Sequence, residues 1–174
     1  MHVNLDELNK LPPQKIDGNF FRLIRTKYAN EPLSMFGSIA QGGRYNVAGL
    51  FGALYLGLDT ETCRTEVTQG ILAGLPVKKG AFKLWEYDVA LQKIIRLDDP
   101  AVLAAIGVTV DEITIPGNHQ TASLIGEPLY LRKLEGLVAP SAQRRGSLCL
   151  DIFLDHVKDH SFVNPLKMSD YEHA

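Results

Sequence analysis

Cysteine is scarce in this chain: Cys63 and Cys149 are the only two, and they do not form a C-x-x-C pair. That spacing excludes a zinc ribbon and a thioredoxin-type redox motif and reads as two reduced thiols. No apolar run approaches the ~20 residues that span a bilayer. The N-terminal stretch MHVNLDELNKLPPQK lacks the basic start and apolar core of a secretory signal, so a cytoplasmic protein is expected. Neither sign of charge dominates: 18 Lys and Arg stand against 20 Asp and Glu, which argues against wholesale nucleic-acid binding and its basic footprint. Several motifs are also missing. No strand leads into G-x-G-x-x-G with an acid about twenty residues on, there is no G-x-x-x-x-G-K-[ST] loop, and there is no H-E-x-x-H pair. The five histidines are scattered. His156 and His160 have helical spacing, but no third ligand accompanies them, so no metal site is expected.

What is present fits one domain over residues 1–174: the chain is 45% hydrophobic and 22% charged, enough to bury a core without staples. A short helix over residues 4–10 ends at Pro12 and Pro13. NFFRLIRTK at 19–27 reads as a strand that puts Arg22 and Ile24 on one face and Leu23 and Arg25 on the other. Residues 28–43 read as a loop. ALYLGL at 53–58 reads as a buried strand, followed by a helix over about 60–70 or slightly beyond, capped by Asp59 or Thr60, with Glu66 inside it. KGAFKLWEYDVAL and KIIRLDD predict two strands. Residues 99–113 predict a helix capped by Asp98 or Asp99, and 120–132 a helix interrupted near Gly126 or Pro128. Strands are expected at 136–139 and around 147–154, with a turn at Pro140 and an irregular tail after 160. Strands and helices interleave without regular βα alternation, which predicts an α+β fold.

Four features can carry chemistry: Arg22 in its strand, GGRYN with Arg44, LYLGLDTETCRTEV with Tyr55 and Glu66, and LVAPSAQ with Ser141. Each alone has a plain structural reading: a surface arginine, a solvated turn, a core aromatic, an exposed helix face, a turn serine. In this order they resemble the RES-domain family, named for its Arg, Glu and Ser. The resemblance runs from about residue 20 to 155 and rests on FRLIR, GGRYN-x-x-G, LYLGLDTETCRTEV and LVAPSAQ, with Tyr45 where the family usually carries Trp or Phe. It implies an ADP-ribosyltransferase-like, diphtheria-toxin-type split sheet with surrounding helices. It also implies the toxin half of a bacterial toxin–antitoxin pair, whose antitoxin partner carries a helix-turn-helix (Xre-like) DNA-binding part. The implied chemistry is consumption of NAD+ by hydrolysis, phosphorolysis or ADP-ribosyl transfer to a protein. The family's functional residues fall on Arg22, Arg44, Tyr55, Glu66 and Ser141, so catalytic roles are expected for Glu66, Arg22 and Tyr55.

The residue types suit that substrate. Arginine grips a pyrophosphate through its planar fork and keeps its charge. Gly42, Gly43 and Gly49 would let backbone N–H groups approach the same oxygens. Breaking the nicotinamide–ribose bond creates an oxocarbenium-like sugar, which a carboxylate at Glu66 would stabilise. Nicotinamide leaves neutral, so no general acid is strictly needed. Cofactor contacts are expected from Arg22, Gly43, Arg44, Tyr45, Asn46, Tyr55 and Ser141; Asn46 is better suited to closing its loop than to touching a ribose. Ser141 could meet a phosphate, a ribose or Glu66. Many ADP-ribosyltransferases place a second carboxylate or Gln two residues before the catalytic Glu; Arg64 stands there, which disfavours arginine-directed transfer. Two other classes stay open: an RNA-binding or RNA-cleaving toxin using Arg22, Arg25, Arg44, Arg144 and Arg145 with Tyr45 or Tyr55 for stacking, and a non-catalytic binding module.

Overall fold

The computed structural model of the chain describes residues 3–71 and 78–171. In chain order the elements are α1 (Leu5–Lys10), β1 (Gln14–Arg25), α2 (Phe36–Gln41), β2 (Leu54–Gly57), α3 (Thr60–Thr65), β3 (Phe82–Arg96), α4 (Pro100–Ala105), α5 (Val110–Thr114), α6 (Gln120–Leu131), β4 (Gly136–Pro140), β5 (Leu148–Ile152) and β6 (Phe162–Asp170). The mixed α+β class holds. The six strands form one sheet in the order β1-β2-β5-β4-β3-β6, and β1 pairs again with β3. That extra pairing joins the two ends of the β1-β2-β5-β4-β3 series, so five strands close a ring, a small barrel. An ADP-ribosyltransferase-like split sheet was expected; the strands form one closed sheet. The cause is β3. Its 15 residues carry β1 along one edge, while the other edge takes β6 at Lys83–Ala90 and β4 at Ile94–Arg96.

Two strands were expected where β3 runs unbroken. Its ladder with β1 shifts register between Gln14 and Ile16, and there the N–H groups of Gln92 and Lys93 donate to Glu135 Oε2 at 2.7 and 2.9 Å. A buried carboxylate thus satisfies the backbone at the irregularity and lets the strand continue. The expected helix over 99–113 is two. α4 is capped by Asp99 and led by Pro100; Gly107 then turns the chain at φ 73°, and Thr109 and Glu112 form a capping box that starts α5. α6 absorbs Pro128 in its last turn, and α2 occupies part of the expected loop. The tail after 160 is not irregular: β6 pairs with β3.

Apolar side chains alternate between the two faces of the ring. Phe20, Leu56, Tyr87, Val89, Val138 and Leu150 come from all five ring strands and pack together inside it. Ala53, Leu137, Ala139 and Phe153 lie on the other face and pack against α1, α4, α5 and α6. No helix among the described residues is long and apolar enough to cross a membrane. The outer face of β2, β5 and β4 is where the candidate site lies.

Candidate active site

β2 carries Tyr55 directly opposite Asp151 of β5, which in turn faces Leu137 of β4. Two residues back along β5, on the same face, is Cys149. Above this floor lie the glycine loop 42–49, the end of α3, and the loop 141–147 that follows β4.

The glycine loop is closed by its own hydrogen bonds. Gly42 N–H donates to Ser38 O, Gly43 N–H to Asn46 O and Gly49 N–H to Ile39 O. These are the glycines expected to let backbone N–H groups approach a pyrophosphate, and their own amides are bonded within the protein. Gly43 has a different reason to be glycine: a Cβ there would lie 2.1 Å from the Tyr55 hydroxyl. The close approach is to a phenol. Buried Asn46 ties the loop together. Its amide nitrogen donates to Ser38 O and Phe51 O, each at 2.8 Å, and its Oδ1 accepts from the Tyr55 hydroxyl at 2.6 Å. Tyr45 is buried beside it, its backbone pressed on Gly126 of α6, where a Cβ would meet Tyr45 O at 1.8 Å.

α3 starts at Asp59, whose side chain caps Thr62 N–H at 2.7 Å. Glu66 follows its last turn and opens a π-helical turn over Glu66–Ile71; any continuation of the expected helix past 71 lies outside the described residues. Glu66 Oε1 accepts from Ser141 Oγ at 2.5 Å and from the Gln143 amide at 3.3 Å, with Cys149 Sγ 3.9 Å away. Ser141, left open between three partners, therefore meets Glu66.

The two arginines expected to hold phosphate make their hydrogen bonds to backbone carbonyls. Arg22 donates to Pro32 O and Ser34 O at 3.1–3.2 Å, and its burial pulls its pKa down. Arg44 Nη1 reaches Ile113 O, Ile115 O and Asn118 O at 3.0–3.3 Å, at the end of α5. Neither joins an ion pair among the described residues, although both are partly buried. Arg144, another of the five arginines of the expected basic patch, is paired with Asp59. That pairing sets a carboxylate against its charge.

One residue was missed. Asp151 is 1% exposed, and its Oδ1 has no hydrogen-bond partner among the described residues. Burial drives its pKa well up, the Glu66 carboxylate adds to that, and Arg44 offsets part of it. The buried Tyr45 hydroxyl likewise has no partner among the described residues. Burial, then the Glu66 charge, also raises Cys149 well above an ordinary thiol, so it is no ready nucleophile. The signal for Asp151 was an acid within the apolar run LCLDIFL. His156 is structural: its Nδ1 lies 2.8 Å from Leu134 O, and its ring packs at a tilt of 32° against Tyr130. Among the described residues no cluster of three or more His, Cys, Asp or Glu could hold a metal ion.

The RES domain family model matches residues 19–171. Two curated relatives are NAD(+) phosphorylase MbcT of Mycobacterium tuberculosis and its counterpart in Mycobacterium bovis. Each is 26% identical over 116 residues, which cover 64% of this chain and 62% of the relative, so the match spans less than two thirds of their length. A solved structure, the M. tuberculosis MbcT–MbcA toxin–antitoxin complex, includes a chain that superposes with a TM-score of 0.79. The likeness covers 96% of this chain and 91% of that one at 16% identity, and is a likeness of fold.

Proposed function

The chain belongs to the RES-domain family, and on that premise we propose that it is an NAD+-consuming toxin of a toxin–antitoxin pair that cleaves the nicotinamide–ribose bond. The observation that carries this reading is the Glu66–Ser141 contact at 2.5 Å. Two residues 75 positions apart, both assigned by the family pattern, meet in one site.

In the proposed step the C1′–N bond breaks heterolytically. Its electron pair goes to the nicotinamide nitrogen, which leaves neutral, and positive charge builds on C1′ and the ring oxygen of the ribose. Glu66 is the anion that stabilises this charge. Its Oε1 is held by Ser141 and Gln143, and Oε2 takes no part in those bonds and is the oxygen assigned to the sugar. Tyr55, held by Asn46, lines the nicotinamide side. Arg22 and Arg44 are assigned to the pyrophosphate. Arg44 spends only Nη1 on carbonyls, so the rest of its five-donor fork can serve a phosphate. Of the acceptors, inorganic phosphate is the one the relatives' name supports, and Arg64 weighs against transfer to a protein arginine. The link to ADP-ribosyltransferases is proposed at the level of this chemistry. The antitoxin partner, with a helix-turn-helix DNA-binding part, and action as one unit over 1–174 belong to the same proposal.

The test is incubation with NAD+, with and without inorganic phosphate, and detection of nicotinamide. Release is expected, and Glu66→Ala, still folded, should cut it ~10²-fold or more. No release under any acceptor condition, alongside RNA cleavage, overturns the reading.

A further inference from the structure

The loop 141–147 is fastened to α3 at two places. At one, Arg144 Nη1 lies 2.9 and 2.8 Å from the two carboxylate oxygens of Asp59, 3.0 Å from Thr62 Oγ1 and 3.4 Å from Ser147 Oγ. The Thr62 and Ser147 hydroxyls also bond each other. At the other, Ser141 and Gln143 hold Glu66. Between these points the loop is closed on itself: Ser141 N–H donates to Ser147 O, Ser147 N–H to Arg144 O, and Arg144 N–H to Ser141 Oγ.

We propose that Arg144 is a positioning residue for Glu66: its ion pair with Asp59 straps the loop to the helix whose far end carries Glu66, and so fixes the direction of that carboxylate. The effect on turnover rests on the NAD+ reading above.

Three observations lead here. Glu66 opens a π-helical turn, a wider turn than the α-helix and frequent at functional sites, and the contacts that orient its side chain come from the loop. Those contacts are only as fixed as the loop. Ser141 Oγ accepts N–H groups from Gln143 and Arg144, so its own proton is what it gives to Glu66. Finally, the Arg144 and Asp59 side chains are 38% and 46% exposed. A pair this exposed adds little to stability, so its consequence is geometric. A misplacement on the order of 1 Å can cost ~10²-fold in rate.

The experiment uses Arg144→Ala, Arg144→Lys, Asp59→Asn and the Arg144→Ala/Asp59→Asn double variant. Asparagine still caps α3, which keeps the helix while removing the charge. Nicotinamide release should fall roughly tenfold or more in kcat for Arg144→Ala and for Asp59→Asn, with KM for NAD+ held within about twofold. The double variant should be no worse than either single one. Lysine at 144 should restore much of the rate, because one arginine nitrogen makes all four contacts. Unchanged kcat in Arg144→Ala overturns the strap. So does a raised KM at constant kcat, which would mean that Arg144 grips the substrate, and so do additive losses in the double variant. Amide hydrogen exchange at Gln143 and Arg144 gives a readout independent of NAD+: it should quicken in Arg144→Ala and Asp59→Asn, and unchanged protection overturns the proposal. If the wild-type protein releases no nicotinamide under any acceptor condition and cleaves RNA, the proposed function falls, while exchange still decides the strap.

Discussion

Ser141 Oγ stands 2.5 Å from Glu66 Oε1 and 2.9 Å from the amide nitrogen of Arg144. The hydroxyl is a relay between a loop backbone and a carboxylate. Replacing Ser141 with Ala removes a hydrogen bond to a charged group, a loss of about 1.5–3 kcal/mol, or roughly ten- to hundredfold in rate. Turnover of NAD+ should fall by that much with KM little changed. A rise in KM at constant kcat would instead place Ser141 on the substrate's phosphate or ribose.

Arg44 has one structural role and one proposed role. Its Nη1 satisfies carbonyls at the end of α5, and its remaining donors are assigned to the pyrophosphate. Arg44→Ala should therefore weaken NAD+ binding by about 1.5–3 kcal/mol and also lower the melting temperature, since three carbonyls lose their donor. Calorimetry that finds NAD+ affinity unchanged removes the phosphate role and leaves Arg44 as an anchor of α5.

The parts legible in the sequence were those written locally. Asp59 followed by TETC reads as a cap and a helix, and Thr109-x-x-Glu112 is a capping box in plain view, although the helix was expected to run through it. The family order also singles out Glu66 and Ser141, which meet at 2.5 Å. What the sequence could not convey depended on distant partners. β3 stays whole because Glu135, 42 residues beyond Lys93, satisfies its backbone. Gly43 is glycine because of Tyr55, and the ring closes because one long strand accepts neighbours on both edges. The tail's polarity hid β6, an outer strand with one paired edge and mostly exposed side chains.

The Gly43 explanation can be tested apart from catalysis. A Cβ at that position would lie 2.1 Å from the Tyr55 hydroxyl and 2.6 Å from the ring carbon bearing it. Gly43→Ala should destabilise the protein by about 1–3 kcal/mol, the usual cost of overpacking, read as a lower denaturant midpoint. Adding Tyr55→Phe should recover part of the loss, because the nearest clashing atom is gone. Wild-type stability in Gly43→Ala would mean the glycine serves something other than this contact.

Asp151 makes a prediction about pH. Its carboxyl is buried with Oδ1 unpartnered, and burial, together with the Glu66 charge, raises its folded-state pKa well above the ordinary 3.8. The folded protein therefore holds this proton more tightly than the unfolded chain does. For such a group, the stability it lends is fully present below the unfolded pKa of about 3.9 and is lost as pH rises through the folded value. Asp151→Asn keeps the shape and removes the titration. Its stability relative to wild type should rise from pH 4 towards neutrality, and its stability–pH curve should be flatter over that range. Thermal or denaturant melts at pH 4, 6 and 8 decide the matter. A variant whose deficit is the same at every pH, or grows with pH, would mean that Asp151 is ionised in the folded protein and that the floor beneath Glu66 carries a negative charge of its own.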